Sequence, residues 1–307
     1  MALVSCISLS TMTEVTCSVP TVLCLGNFDG VHLAHRALLD QAKKLRSRLS
    51  ADTACGVFCF SAPTADYLLQ APPAHLCTLE QKLELFRQCG MDYAFVADFP
   101  SVREMSPKEF IQQILKEQCN CAGAVCGFNF KFGKRGEGTA ELLKDALGAP
   151  VEIQKAVTHG GEPISSTRIR RLLQDGLVEE ASVLLCRPYS FKSSVIHGKH
   201  LGHKLGAPTI NQILPKGMLI PAYGVYITDC EIDGKHFRGV TNVGVRPTVE
   251  KNAQVNCETY LLDFCGNLYE KEITVAFLKR IRPEQQFTSQ EELQMQIHKD
   301  IDFARNY

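Results

Sequence analysis

From Pro20 to about Arg187 the sequence alternates between short apolar runs and amphipathic stretches, and after Arg187-Pro188 the alternation stops. "TVLCLGNF", "TACGVFCF", "YAFVADF", "AGAVCGFNF" and "VEIQKAV" read as strands. Between them "GVHLAHRALLDQAKKLRSRL", "TLEQKLELFRQCG", "SPKEFIQQILKEQ" and "TAELLKDALG" carry apolar residues at helical spacing, and "SSTRIRRLLQDG" begins another helix. Ser106 is placed to cap the third of these and Gly90 to stop the second. Such alternation leaves few topologies; it predicts an α/β, doubly wound and mostly parallel sheet of the Rossmann type. Residues ahead of Pro20 are either a short leading strand or a disordered tail.

Beyond Pro188 the texture is different. "YSFKSSVIHG", "GVYITDCEI", "KHFRGVTNVG", "NCETYLLDF" and "EITVAFLKRI" are short strands separated by Gly, Pro, Asn and Asp. "DGK" at 233–235 and "CGN" at 265–267 read as hairpin turns. The closing stretch "SQEELQMQIHKDIDFARNY" reads as a helix capped by Ser289, with Leu293, Ile297 and Ile301 on one face. A second domain is therefore expected, an antiparallel barrel or sandwich closed by a terminal helix. A chain of 307 residues is long for a single core, and the expected division is 1–186 and 187–307.

Charge narrows the function. Lysine plus arginine and aspartate plus glutamate are both 33, so there is no general field for nucleic acid or an anionic membrane surface, and neither partner is expected. No run of about 18 apolar residues is present to span a bilayer. The start "MALVSCISLS" lacks the basic opening of a signal peptide. The 14 cysteines include no C-x-x-C pair and sit in apolar runs, which favours reduced thiols, no structural zinc and a cytosolic setting.

The first strand runs into "GNFDGVHLAH", where His32 and His35 lie three apart at the expected start of a helix. Parallel sheets bind ligands beyond the carboxyl ends of their strands, where helix N-termini present free N–H groups. Two imidazoles there suit the phosphates of a triphosphate, with Asn27 as an amide donor and Asp29 as a helix cap. An ordinary turn beside two half-exposed histidines would look similar. A second helix start, "ISSTRIR" at 164–170, adds Ser165, Ser166, Thr167 and Arg168, hydroxyls and a guanidinium that suit β- and γ-phosphates. No P-loop or G-x-G-x-x-G competes with them.

"GNFDGVH", "GFNFKFG" and "ISSTRIR", in that order, resemble the FMN adenylyltransferase module of bacterial bifunctional riboflavin kinase/FAD synthetases, within the nucleotidyltransferase superfamily. The resemblance implies that His32 and His35 contact ATP phosphates, with Asn27 near the α-phosphate and Gly26 also binding ATP. It also implies that Arg168 holds the outer phosphates, that Ser165, Ser166 and Thr167 bind ATP, and that Asn129 of "GFNFKFG" lies near the flavin. Two departures stand out: His32-Leu33-Ala34-His35 replaces H-x-G-H, and "FSAPTADY" replaces an F-D-P-H-P-like segment.

In the second domain, "HGKHLGHKLGAPTIN" (197–211), "GVTNVGVRPTV" (239–249), "ETYLLDF" (258–264) and "LYEKEITVAFLKRIRPE" follow the order of motifs in riboflavin kinase. That resemblance implies a six-stranded β-barrel whose loop with Gly198, Lys199, Gly202, Gly206 and Pro208 covers ATP. It implies Thr209 and Asn211 at a Mg²⁺–nucleotide site, and Glu258 as the base for the riboflavin 5′-hydroxyl. Arg246 is either a flavin or phosphate contact or a turn residue. Ala207, Ile210 and Tyr260 depart from the family's usual residues.

The expected activity is ATP-dependent conversion of riboflavin to FMN and of FMN to FAD with Mg²⁺, by a monomer whose partners are small molecules. Two alternatives stay open: a riboflavin kinase with a degenerate α/β domain, and a non-catalytic flavin-binding protein on the same scaffold.

Overall fold

A computed structural model describes residues 5–9, 17–197, 209–245 and 255–307. The chain divides into two compact units, Met1–Ser166 and Thr167–Tyr307.

The first unit is built on six parallel strands: β1 (Ser5–Leu9), β2 (Thr21–Leu25), β3 (Ala54–Phe60), β4 (Tyr93–Ala97), β5 (Cys121–Gly127) and β6 (Val151–Gln154). Their order across the sheet is β1-β4-β3-β2-β5-β6. The leading segment is thus a strand, paired at the edge from Ser5 opposite Tyr93 to Leu9 opposite Ala97.

Every residue of β2 is buried, as a strand covered on both faces requires. Val22 and Cys24 point into one core with Leu38, Leu39, Ala42 and Leu45 of α1 (Leu33–Arg46). Leu23 and Leu25 point into the other with Phe110, Ile111, Ile114 and Leu115. The period-2 alternation of one strand therefore feeds two helical layers.

The helix after Thr78, α2 (Leu79–Gln88), begins with a capping box made by Thr78 and Gln81. The "SPKEFIQQILKEQ" helix also starts on a capping box, Ser106 with Glu109. From Phe110 to Gln118 it widens to i→i+5 bonding, and the Cys119 N–H donates to the Ile114 carbonyl. Phe110, Ile111, Ile114, Leu115 and Gln118 are its buried residues, so the wider turn keeps one apolar face on the sheet.

The second unit opens with two helices, α3 (Ser166–Gln174, whose first residue belongs to the other unit) and α4 (Val178–Leu185). Six antiparallel strands follow: β7 (Tyr189–Ser194), β8 (Thr209–Ile213), β9 (Gly224–Ile232), β10 (Lys235–Val245), β11 (Val255–Leu261) and β12 (Glu272–Arg282). They are ordered β7-β12-β9-β10-β11-β8. Register shifts between β9 and β12 at Val225/Tyr226 and Ile227/Thr228 help the sheet curl.

The two edges meet at one bridge, where the Ile196 N–H donates to the Asn211 carbonyl at 2.8 Å. The buried Gln212 amide reinforces the join by donating to the Ser193 and Ile273 carbonyls at 2.7 and 2.9 Å. The expected barrel is a curled sheet with a seam.

Asp233-Gly234 forms the expected two-residue hairpin, with φ of 50° and 76°. "CGN" does not form one: the chain between Leu261 and Glu272 joins β11 to β12, which are not neighbours in the sheet.

Inside the sheet a row of buried hydroxyls links β9, β10 and β11, Thr228 to Thr241 and Thr241 to Thr259, each at 2.8 Å. Gly239 leaves room for it; a Cβ there would lie 2.7 Å from the Thr228 hydroxyl. The terminal helix α5 (Gln290–Arg305) starts at Ser289 as expected. It docks through buried Asp300, which receives Arg282 Nη2 at 2.8 Å and Gln296 Nε2 at 2.9 Å.

Candidate active site

In the first unit the chain steps from β2 to β3 and β4 on one side, then returns to β5 on the other side of β2. The switch point therefore lies at the carboxyl ends of β2 and β5, where Leu25 pairs with Cys126. Gly26-Asn27 and Gly127-Phe128-Asn129 leave the sheet side by side, which brings together two of the three motifs read from the sequence.

The loop from β2 into α1 is strained. Phe28 and Val31, both fully buried, hold φ of 51° and 42°. Left-handed backbone is costly for a β-branched residue and persists where its surroundings enforce it. Those surroundings are visible. The Leu76 N–H donates to the Asp29 carboxylate at 2.9 Å, and the Gly30 N–H donates to Cys77 Sγ at 3.2 Å. The Lys82 ammonium donates to the Asn27 carbonyl at 3.1 Å. The Ser166 hydroxyl donates to the Asp29 carbonyl at 3.0 Å, which brings the end of the first unit to the same loop.

Asp29 is therefore a brace for the loop and not the helix cap expected of it. His32 is the cap: its Nδ1 accepts the His35 N–H at 3.4 Å. The His32 and His35 rings stack 3.6 Å apart at 14°, and Phe28 packs against His35 at 5.1 Å. Burial, then His32, then Lys82 hold the His35 pKa well below its usual 6.5. At neutral pH the ring is an uncharged hydrogen-bonding group, and its Nδ1 is buried with no protein partner.

Asn129 is exposed at the end of β5, its side-chain oxygen folded over Gly127. Ser165 and Ser166 are half-buried and Thr167 is exposed; Arg168 is half-buried on α3, in the second unit.

In the second unit, register assembles the other candidate group. Asn211 of β8 and Asn242 of β10 both face Glu258 of β11. Thr209 and Asn211, two apart, share one face of β8. Asn256, buried and two residues before Glu258, donates to Asn211 Oδ1 at 2.9 Å and to Glu258 Oε1 at 3.0 Å. One amide thus orients both proposed functional groups, and its own Oδ1 has no protein partner.

The oxygen donors of Thr209 and Asn211 suit a hard divalent cation shared with phosphates. No group of three or more His, Cys, Asp or Glu side chains forms a metal cage among the described residues. Gly198, Lys199, Gly202, Gly206, Pro208 and Arg246 lie outside the described residues.

Comparison with known proteins places these two arrangements. A family model for FAD synthetase matches residues 15–168, and one for riboflavin kinase matches 185–307. The bifunctional riboflavin kinase/FMN adenylyltransferase of Bacillus subtilis is 36% identical over 94% of this chain and 92% of its own length. That of Escherichia coli K12 is 34% identical over 93% and 92%. The chain belongs to the bifunctional riboflavin kinase/FMN adenylyltransferase family.

A solved structure described as a macrolide-efflux protein from Streptococcus pneumoniae matches with a TM-score of 0.91 and 30% identity, over 99% of this chain and 100% of that one. That description is of the other protein. Among the described residues here no helix is long and apolar enough to cross a membrane.

Within the family frame, three contributors escape a reading of the sequence: the Leu76–Cys77 brace, Lys82 and Asn256. Each acts on a partner that only the fold brings close, apart from the Asn256–Glu258 contact, where i, i+2 spacing on a strand was the available signal.

Proposed function

We propose that the chain makes FAD in two steps, phosphorylating riboflavin in residues 187–307 and adenylylating FMN in residues 1–186. The FAD synthetase match ends at residue 168 and the riboflavin kinase match begins at 185, two residues before that division, which supports it.

In the first step the riboflavin 5′-oxygen attacks the γ-phosphorus of ATP, the bond to ADP breaks, and Glu258 accepts the hydroxyl proton. Asn256 holds that carboxylate by Oε1 and so fixes its orientation toward the substrate. Thr209 and Asn211 would hold Mg²⁺, which supplies charge neutralisation for the ATP phosphates when bound. The loop with Gly198, Lys199, Gly202, Gly206 and Pro208 is assigned to ATP, and Arg246 to the flavin.

In the second step an FMN phosphate oxygen attacks the α-phosphorus of ATP and pyrophosphate leaves. The attacking oxygen is already ionised, so no base is needed. The demand is for donors where charge grows on the leaving group. His32 and the uncharged His35 donate hydrogen bonds there, with Gly26, Asn27, Ser165, Ser166, Thr167 and Arg168 assigned to the nucleotide and Asn129 to the flavin. Fourteen free thiols favour a reducing cytosol as the setting, and the proposed state is a monomer.

The observation that carries the reading is the braced, strained loop with its stacked imidazole pair at the switch point. Such strain is hard to retain in a domain that has lost its reaction. This favours two activities over a kinase with a degenerate partner. The test is chromatography of flavins after incubation with riboflavin, ATP and Mg²⁺. FMN followed by FAD is expected. FMN alone supports the kinase-only alternative, and unchanged riboflavin refutes both.

A further inference from the structure

We infer that Lys82 is a fixed positive charge of the adenylyl-transfer site, a positioning residue that acts from beneath the loop carrying Asn27, His32 and His35. This rests on the adenylyl-transfer reading of the first unit.

Lys82 lies on the core-facing side of α2, buried together with Leu85 and Phe86 and flanked by Leu79 and Leu83. A leucine would satisfy that stripe. The lysine is only 3% exposed, although lysine is almost never so buried without a pairing charge. Among the described residues no carboxylate pairs with it. Its one bond is to the Asn27 backbone carbonyl, a neutral acceptor that leaves two ammonium hydrogens and the whole charge uncompensated. A residue that breaks the local pattern at a cost in stability marks a functional position.

The position is informative. The ammonium reaches the turn between β2 and α1, and it also acts electrostatically on His35 and on the Cys59 thiol near the end of β3. It stands at the corner where the proposed polyanion must sit. With His35 kept neutral, Lys82 places a permanent charge directly beneath that turn. A polyanion above it supplies the missing counter-charge, and the bond to Asn27 fixes the strained turn for phosphate contact.

The test uses the full chain, with Lys82→Met, Lys82→Gln and Lys82→Arg. FAD formation from FMN, ATP and Mg²⁺ should fall about 10- to 100-fold in the methionine and glutamine variants and recover at least in part in the arginine variant. FMN formation from riboflavin should hold in all three. Without nucleotide, Lys82→Met should melt no lower than the wild type, because it removes an uncompensated buried charge. Its stabilisation by inorganic pyrophosphate with Mg²⁺ should shrink, and the His35 ring should titrate at higher pH by NMR.

FAD synthesis within threefold of wild type in Lys82→Met overturns the inference. So does loss accompanied by a lower melting temperature and no rescue by arginine, which is the signature of packing alone. If the wild type makes no FAD, the underlying reading fails, and Lys82 is judged by the pyrophosphate shift: a shift reduced in Lys82→Met upholds it, an equal shift overturns it.

Discussion

Asn256→Ala isolates the second unit's chemistry. The amide makes two donations, 2.9 Å to Asn211 Oδ1 and 3.0 Å to the Glu258 carboxylate. A bond to a charged acceptor contributes about 1.5–3 kcal/mol, and one to a neutral acceptor about 0.5–1.5 kcal/mol. Not all of this is felt in the transition state, since the freed oxygens regain water. A loss near 2 kcal/mol corresponds to roughly thirtyfold in rate.

The assay is the initial rate of FMN formation from riboflavin, with FAD formation from FMN in the same preparation as the control for folding. Glu258→Gln should do more damage, about a hundredfold or beyond, because it removes the proton acceptor. The double variant Asn256→Ala/Glu258→Gln should be little worse than Glu258→Gln, since the amide works largely through that carboxylate. Kinase activity within threefold of wild type, or full additivity in the double variant, refutes the assignment.

Three further outcomes follow from geometry. Because His35 holds its proton less readily when folded, the unfolded chain protonates first as pH falls. The stability due to this group is complete above about 6.5 and declines below it toward the lower folded value; thermal melts of wild type and His35→Asn across pH 5–8 should show the wild type losing stability faster on the acid side. Thr241→Val removes the middle of the hydroxyl row and strands its neighbours, costing about 1–3 kcal/mol in denaturant titrations, whereas replacing Thr228, Thr241 and Thr259 together should recover most of it. Asp300→Ala leaves the Arg282 guanidinium without its carboxylate; about 3–5 kcal/mol of destabilisation is expected by chemical unfolding, and Arg282→Met with Asp300→Leu should restore much of it.

Local patterns carried much of this in the sequence. Alternating strands and helices predict the parallel sheet, and Asp233-Gly234 predicts its hairpin because a two-residue turn is specified by its own residues. The leading strand was ambiguous because it is an edge strand with exposed Ser5 and Cys6, so burial prints little periodicity on it. Helix α4 carries only a weak start signal: it begins after Leu177, which makes no side-chain cap, and its first turn offers Glu179 and Glu180 alone. "CGN" misled because turn residues do not say which strands they join. At the sites, His32, His35 and Glu258 were legible as local motifs. Lys82 was not, since a lysine in an amphipathic helix looks solvent-bound until the fold buries it under Asn27, 55 positions away.

The seam of the curled sheet has one more implication. The backbone of Asn211 latches the two edge strands while its side chain is proposed for the metal–nucleotide site. Whatever grips that side chain also fastens the sheet, so occupancy by nucleotide and metal should slow deuterium uptake at the Ile196 amide. The weakest join of the unit then doubles as its own reporter of ligation.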